Sequence, residues 1–319
     1  MTNLHQSLEE LSINWSICEY LNGEQYDALA TVLIDVLCQC TRLNSVSLAG
    51  NILHFFDLEK LNPYGHLFHE LEFVFDEDEI QTTADGQAVS NLFATCNNLT
   101  KLSYKGTYDE QDALAVSTLH QCPLLEELDL SSFFPLPDSF TLISRNCKHL
   151  HKLSISCATI PAANLRDIAA LEALKELSFY SCEGLTVSGM ATLATMRLSE
   201  LSIHDPQDDD NLPLASLQSI GNSFVGSTIS QTLESFTLSG YPDATAPLDD
   251  VQLAKDLAAC RHLKKLDVGV DGDGCVFGEN GLAGLEALAA GCPLLTDISL
   301  SLTVDGKSFL RTHIANLKT

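Results

Sequence analysis

The side chains most able to carry chemistry in this chain are its ten histidines, eleven cysteines and forty-three carboxylates. A catalytic centre needs a nucleophile, a base and an orienting group converging in one pocket. The sequence has no G-x-S-x-G, no H-E-x-x-H and no phosphate loop ending in Gly-Lys-Ser/Thr. The histidines are scattered, and none shares a motif with a Cys or a Ser. Cys38 and Cys40 form a CxC, and Cys275 stands in a Gly-rich stretch. Neither is followed by a second Cys/His pair at zinc-finger spacing, so no metal ligands are expected. Asp76, Glu77, Asp78 and Glu79 read as a solvated loop. The segment DGDGCVFGENG, residues 271–281, lacks calcium-loop spacing and is also not a dinucleotide-binding GxGxxG. It reads as a turn. The expectation is therefore no catalytic, cofactor-binding or metal-ligating residue, no cofactor and no enzyme.

The cysteines fall into phase instead. Cys122 to Leu130 reads CPLLEELDL, and the pattern returns as CKHLHKLSI from Cys147, CRHLKKLDV from Cys260 and CPLLTDISL from Cys292. CNNLTKLSY from Cys96 and CTRLNSVSL from Cys40 are looser copies. Each has apolar residues at positions 0, 3 and 5 and a Cys three residues ahead of position 0. Alternation puts positions 3 and 5 on one face of a short strand. Eleven such units begin at residues 8, 43, 68, 99, 125, 150, 174, 198, 233, 263 and 295. Their spacing is 24 to 26 residues in the centre and up to 35 toward the ends. One such strand cannot bury its apolar face alone, but a stack of them can.

The pattern resembles the leucine-rich repeat family, L-x-x-L-x-L-x-x-N/C, and the leading Cys resembles the cysteine-containing subtype found in F-box substrate receptors. The closing position is suitably filled by Asn51, Thr107, Cys182, Asp271 and Thr303 and departs at Phe133, Ala158, Pro206 and Tyr241. The resemblance implies an α/β solenoid, with a curved parallel sheet on the concave face and helices on the convex face. It implies one repeat domain over residues 1–319, since each unit needs its neighbours. Helices are expected between strands. One spans Tyr26 to Leu37, with Leu29, Val32, Leu33 and Val36 as its apolar stripe. Others cover 88–95, 112–120, 139–145, 161–171, 187–196, 213–220 and 249–259, and Ser308 to Leu317 reads as a C-terminal capping helix. The connection through Phe55, Phe56, Leu58 and Leu61 is irregular, and Pro63 should stop a helix there.

Strand positions 2, 4 and 6 alternate away from the core and face the concave side. Row 4 holds seven Ser and one Thr among its eleven residues, from Ser12 to Ser299, which suits a hydroxyl ladder. Row 2 alternates in sign through Lys101, Glu127, Lys152 and Glu176. The larger side chains stand at position 6 and just after it. Interface energy concentrates in aromatics and Arg, so Trp15, Phe75, Tyr180 and His204 are the candidate contacts, with Glu176 and Glu200 beside them.

The net charge is −26, and Arg42 and Lys60 are the first hundred residues' only cations apart from histidine. Such a surface repels phosphate backbones and anionic lipid, so neither nucleic acid nor membrane is expected as a partner. A protein partner with a basic surface fits. No run of apolar residues is long enough to span a bilayer, and MTNLHQSLEELS is not a secretory signal. Cysteines fixed by repeat phase read as buried reduced thiols, which places the protein inside the cell; the cytoplasm is expected rather than the nucleus. A non-catalytic interaction scaffold is the reading that follows. One alternative is the recognition part of an F-box ubiquitin-ligase receptor, although no Leu-Pro-rich F-box stands ahead of residue 40. The other is a GTPase-activating regulator resembling leucine-rich Ran GTPase-activating proteins, whose acidic tail this chain lacks.

Overall fold

The structure, a computed structural model, describes residues 7–14, 23–50, 53, 56–75, 86–105, 110–131, 139–156, 160–182, 185, 187–204, 222–239, 250–268, 281–304 and 307–313. The chain packs as two compact units, Met1–Leu153 and Ser154–Thr319.

The first unit holds β1 (Glu10–Asn14), β2 (Ser45–Ala49), β3 (Glu70–Val74), β4 (Lys101–Lys105) and β5 (Glu127–Ser131). Neighbours pair in parallel with no slip: Glu10 lies beside Ser45, Ser45 beside Glu70, Glu70 beside Lys101 and Lys101 beside Glu127. Every repeat position therefore forms a straight row across the sheet. From β2 onward, positions 3 and 5 are buried, as in Val46, Leu48, Leu71, Phe73, Leu102, Tyr104, Leu128 and Leu130. The incoming turns are stitched by the backbone. The N–H groups of Thr100 and Lys101 both donate to the His69 carbonyl at 2.8 and 3.0 Å, and those of Glu126 and Glu127 donate to Thr100 at the same distances. Returning helices are α1 (Gly23–Leu37), α2 (Gly86–Thr95), α3 (Glu110–Thr118) and α4 (Ser139–Asn146).

β6 (Lys152–Ser156) spans the division between units. The second unit continues with β7 (Glu176–Tyr180), β8 (Glu200–His204), β9 (Ser235–Ser239), β10 (Lys265–Val268) and β11 (Asp297–Val304), with α5 (Ala162–Ala169), α6 (Val187–Leu193), α7 (Asp250–Leu257) and α8 (Gly281–Gly291) between them. β7 to β11 pair in parallel in the same unbroken register.

The phase-locked cysteines occupy the slot the repeat assigns. Cys40, Cys96, Cys122, Cys147, Cys260 and Cys292 are all buried and free. Helix C-termini leave carbonyls without intrahelical partners, and the thiols reach toward them. Cys96 Sγ donates to Leu92 O at 3.2 Å, Cys122 Sγ to Phe93 O at 3.5 Å, Cys147 Sγ to Leu119 O at 3.4 Å and Cys292 Sγ to Leu257 O at 3.4 Å. Three of these four bonds reach back to the preceding repeat. Cys182, in the closing position, donates to Ile155 O and Tyr180 O, both at 3.4 Å.

Four expectations are corrected. The apolar stripe of α1 is Tyr26, Ala30, Ile34 and Leu37, while Val32 and Val36 are 59% and 44% exposed. The buried stripe steps by four, four and three residues, one position out of phase with the expected one. Pro63 does not stop helical structure: a 3₁₀ helix runs Leu58–Leu67 with Pro63 inside it and Leu58, Leu61 and Gly65 buried. Gly65 lies so close to α2 that an added Cβ would collide with the Thr95 side chain. The C-terminal segment is a strand rather than a helix: β12 (Lys307–His313) pairs antiparallel with β11, Val304 beside Lys307. Asp305-Gly306 is a dipeptide favoured in two-residue hairpins, a signal that outranks the modest helical pattern. Helix α8 was absent from the expected set, since the Gly-rich stretch before it masked its start. The expected helix at 213–220 and the acidic run at 76–79 lie outside the described residues.

Candidate protein-binding face

Positions 2, 4 and 6 point to the sheet face opposite the buried positions 3 and 5. On the first unit that face is polar and cross-bonded. Ser47 donates to Glu72 at 2.6 Å and Ser45 to Glu70 at 3.2 Å. Lys101 Nζ stands 3.5 Å from Glu127 Oε2, a pair from the row whose signs alternate. Desolvation raises the Asp129 carboxyl above its ordinary value, helped by the Glu72 carboxylate and opposed by Lys152 and a Ser131 hydrogen bond.

The second unit carries aromatic rings on the corresponding face. Tyr180 ends β7 and His204 ends β8, in register at position 6. Their rings stack with centroids 4.6 Å apart and planes 7° from parallel. Tyr180 is 42% exposed, and among the described Phe, Tyr and Trp residues it is the only exposed one. His204 is half-buried, and its Nδ1 lies 2.7 Å from Ser239 Oγ, at position 6 of β9. That contact is a hydrogen bond in either imidazole tautomer. Burial lowers the His204 pKa, with the Asp267 carboxylate opposing the shift. That shift favours the neutral imidazole. The backbone fixes the pair as well. Ser181, directly after Tyr180, has φ of 50°, a left-handed conformation uncommon outside glycine. Its N–H donates to the His204 carbonyl at 2.9 Å. Glu176 and Glu200 lie in register at the start of the same two strands, both partly exposed.

Of the six candidate contacts, four come together on β7 and β8: Tyr180, His204, Glu176 and Glu200. Phe75 is corrected. It is buried, 1% exposed, and meets Tyr104 edge-on at 5.9 Å. It stands at position 7, one residue past the strand, and the two-residue alternation turns it back toward the core. Trp15 lies outside the described residues. Sequence reasoning passed over Ser239, Asp267 and Ser181. Ser239 could have been found by reading position 6 one repeat further. Nothing in the sequence marks the backbone of Ser181. Among the described residues, no group of His, Cys, Asp and Glu side chains is arranged to hold a metal ion, and no helix is long and apolar enough to cross a membrane.

No family model matches the chain, and no curated protein matches it. Solved structures do. A chain of the Rad7–Elc1 complex from yeast is 15% identical, with a TM-score of 0.53, and the match covers 94% of this chain and 72% of that one. The fold is a leucine-rich repeat solenoid. An internalin from Listeria monocytogenes is 16% identical with a TM-score of 0.47, covering 93% of this chain and 74% of the other. A chain of the Toll–Spatzle complex from Drosophila is 13% identical with a TM-score of 0.49, covering 84% of this solenoid but 32% of that chain.

Proposed function

We propose that this solenoid is a non-catalytic, intracellular protein-interaction scaffold, one repeat array over residues 1–319, that binds a protein partner through the open sheet face of β7 and β8. The observation that carries the reading is the Tyr180–His204 stack. A large aromatic left 42% exposed, on a face whose central row is mostly Ser and Thr, is the kind of residue on which interface energy concentrates. The carboxylates beside it and the net charge of −26 favour a partner with a basic surface. The test is affinity purification followed by quantitative binding of the recovered partner. Tyr180→Ala should weaken binding by more than about 1 kcal/mol, and Ser47→Ala, on the face of the first unit, should leave it unchanged. Equal effects of the two substitutions would remove the site from β7 and β8.

A second reading, the recognition part of an F-box ligase receptor, is favoured by the buried cysteine before each of six strands, the feature that resembles that subtype. The chain's likeness to a component of the Rad7–Elc1 complex agrees with it in fold. Co-purification with a ligase adaptor subunit supports this reading, and its absence from a partner complex recovered intact counts against it.

A further inference from the structure

Helix α1 carries a second apolar stripe besides the one it buries. Leu29, Val32, Leu33 and Val36 recur at the i, i+3, i+4, i+7 spacing of one helix face. Val32 and Val36 are 59% and 44% exposed, and Leu29 and Leu33 are partly exposed. Single exposed apolar side chains are ordinary on a protein surface, but a contiguous stripe marks a contact. The helix has no Lys or Arg to shield it.

The stripe lies on the free end of the first unit. The 3₁₀ helix Leu58–Leu67 follows α1 in the helical layer, and Cys38 Sγ donates to its Lys60 carbonyl at 3.4 Å. Cys38 continues the last turn of α1, since its N–H donates to Ile34 O at 2.9 Å. It stands about two and a half turns from Leu29 and so on the opposite side of the helix. The stripe therefore faces away from the neighbouring repeat. β1 ends the sheet on that same side. Its Leu11 and Ile13 are only partly buried, whereas positions 3 and 5 of β2 to β5 are buried.

The stripe is complementary to itself. In an antiparallel pair centred between Val32 and Leu33, Leu29 meets Val36 of the second copy and Val32 meets Leu33. Each contact sets a larger side chain against a smaller one, as an isologous twofold interface requires. Glu24, Asp27 and Asp35 then fall opposite Thr41, Cys38 and Ala30, so no carboxylate of α1 faces another. Glu24 lies beside the far end of the other helix, next to Arg42. That guanidinium is exposed and bridges Glu9, and it has donors for a second carboxylate. Antiparallel helix dipoles attract as well. A twofold axis running from the sheet to the helical layer also sets β1 antiparallel to its counterpart, which covers an edge strand.

We propose that two copies of this chain associate through their N-terminal ends, with the α1 stripe of Leu29, Val32, Leu33 and Val36 packed antiparallel on its twofold mate. The contact uses no residue of β7 or β8, so its failure leaves the partner-binding reading untouched.

The full chain is run on size-exclusion chromatography with light scattering over a dilution series. The mass should rise with concentration from 34.6 kDa toward twice that value. The dimer should tighten between about 0.15 M and about 1 M salt, where the screening length falls to about 3 Å and the repulsion between two acidic chains fades. Val32→Lys/Val36→Lys, at exposed positions, should stay at 34.6 kDa with an unchanged melting temperature. Leu142→Lys, at an exposed position of α4, should dimerise like the parent chain. A charge swap reads the antiparallel register. Leu29→Glu and Val36→Lys should each be monomeric alone and dimerise when mixed, because mixing sets the new carboxylate against the new ammonium. A parent chain that stays monomeric up to about 0.5 mM, well above the dissociation constant of a stable contact, overturns the proposal. So does a dimer that weakens in high salt, one that survives Val32→Lys/Val36→Lys, or swap variants that fail to pair when mixed.

Discussion

On the first unit, the open sheet face bonds to itself: Ser45 and Ser47 hold the carboxylates of Glu70 and Glu72, and Lys101 holds Glu127. Four of its aromatics, Phe73, Phe75, Phe93 and Tyr104, are buried in one edge-on and stacked cluster. On the second unit, the same repeat turns two rings outward and stacks them against each other. The difference comes from a single step in sequence. Phe75 stands at position 7 and Tyr180 at position 6, and a strand's two-residue period sends them to opposite sides. Whether a repeat contributes to the core or to a surface is thus decided by register, with the scaffold unchanged.

The comparison is broken most directly by truncating the two rings. Phe75→Ala should cost roughly 3–5 kcal/mol, as for any large aromatic removed from a packed core. Tyr180→Ala should cost about 1 kcal/mol or less, the worth of an exposed aromatic stack. Chemical denaturation of both variants measures the contrast, and similar costs would erase it. Leu128→Ala, at position 3 of the regular centre, should cost roughly 2–5 kcal/mol and lower the stability of neighbouring repeats. A melting shift of only about one or two degrees would contradict the repeat frame.

A titration sharpens the comparison at His204. An unfolded chain protonates its histidines near pH 6.5, whereas burial makes the folded His204 take its proton at lower pH. The unfolded state then binds more protons in that window. The stabilising contribution is fully present above about pH 6.5 and is lost as pH falls through the folded value. Urea midpoints at pH 8 and pH 5 should converge in His204→Asn relative to the parent chain. An unchanged pH slope would mean that His204 titrates normally. The smallest effect concerns the backbone beside Tyr180. Ser181→Gly should relieve the left-handed strain and stabilise the chain by up to about 1 kcal/mol, read as a rise in Tm.

The strands were legible because a three-point apolar signature repeated eleven times leaves little room for a register error, and the pairing follows it residue by residue. The helices were less so. In α1, Ala30 takes a core position while Val32 and Val36 face outward, and hydrophobicity alone ranks those the other way. The final strand was hidden because Lys307 to His313 mixes helix and strand formers, and only the Asp305-Gly306 dipeptide ahead of it favours a hairpin. At the candidate site, the rows placed Tyr180, His204, Glu176 and Glu200 together correctly in space. What alternation could not convey was the ring stack itself, the hydrogen bond between His204 and Ser239 or the field of Asp267, which depend on side-chain rotamers across four strands.

The thiol slots have a kinetic consequence. Burial pushes the Cys96 and Cys260 thiols up to about 12 and those of Cys147 and Cys292 up to about 11. In the closed state they carry almost no thiolate, the form that reacts. Cys38, only half-buried, should label first among the eight described cysteines when a bulky reagent is added without denaturant. A phase-locked thiol reacts only when its repeat opens, and an alkylated or oxidised side chain no longer fits the slot it left. Each opening caught by alkylation therefore becomes permanent, whereas an oxidised thiol can be reduced back. Under an electrophile the solenoid behaves as a ratchet, with each cysteine counting the openings of its own repeat.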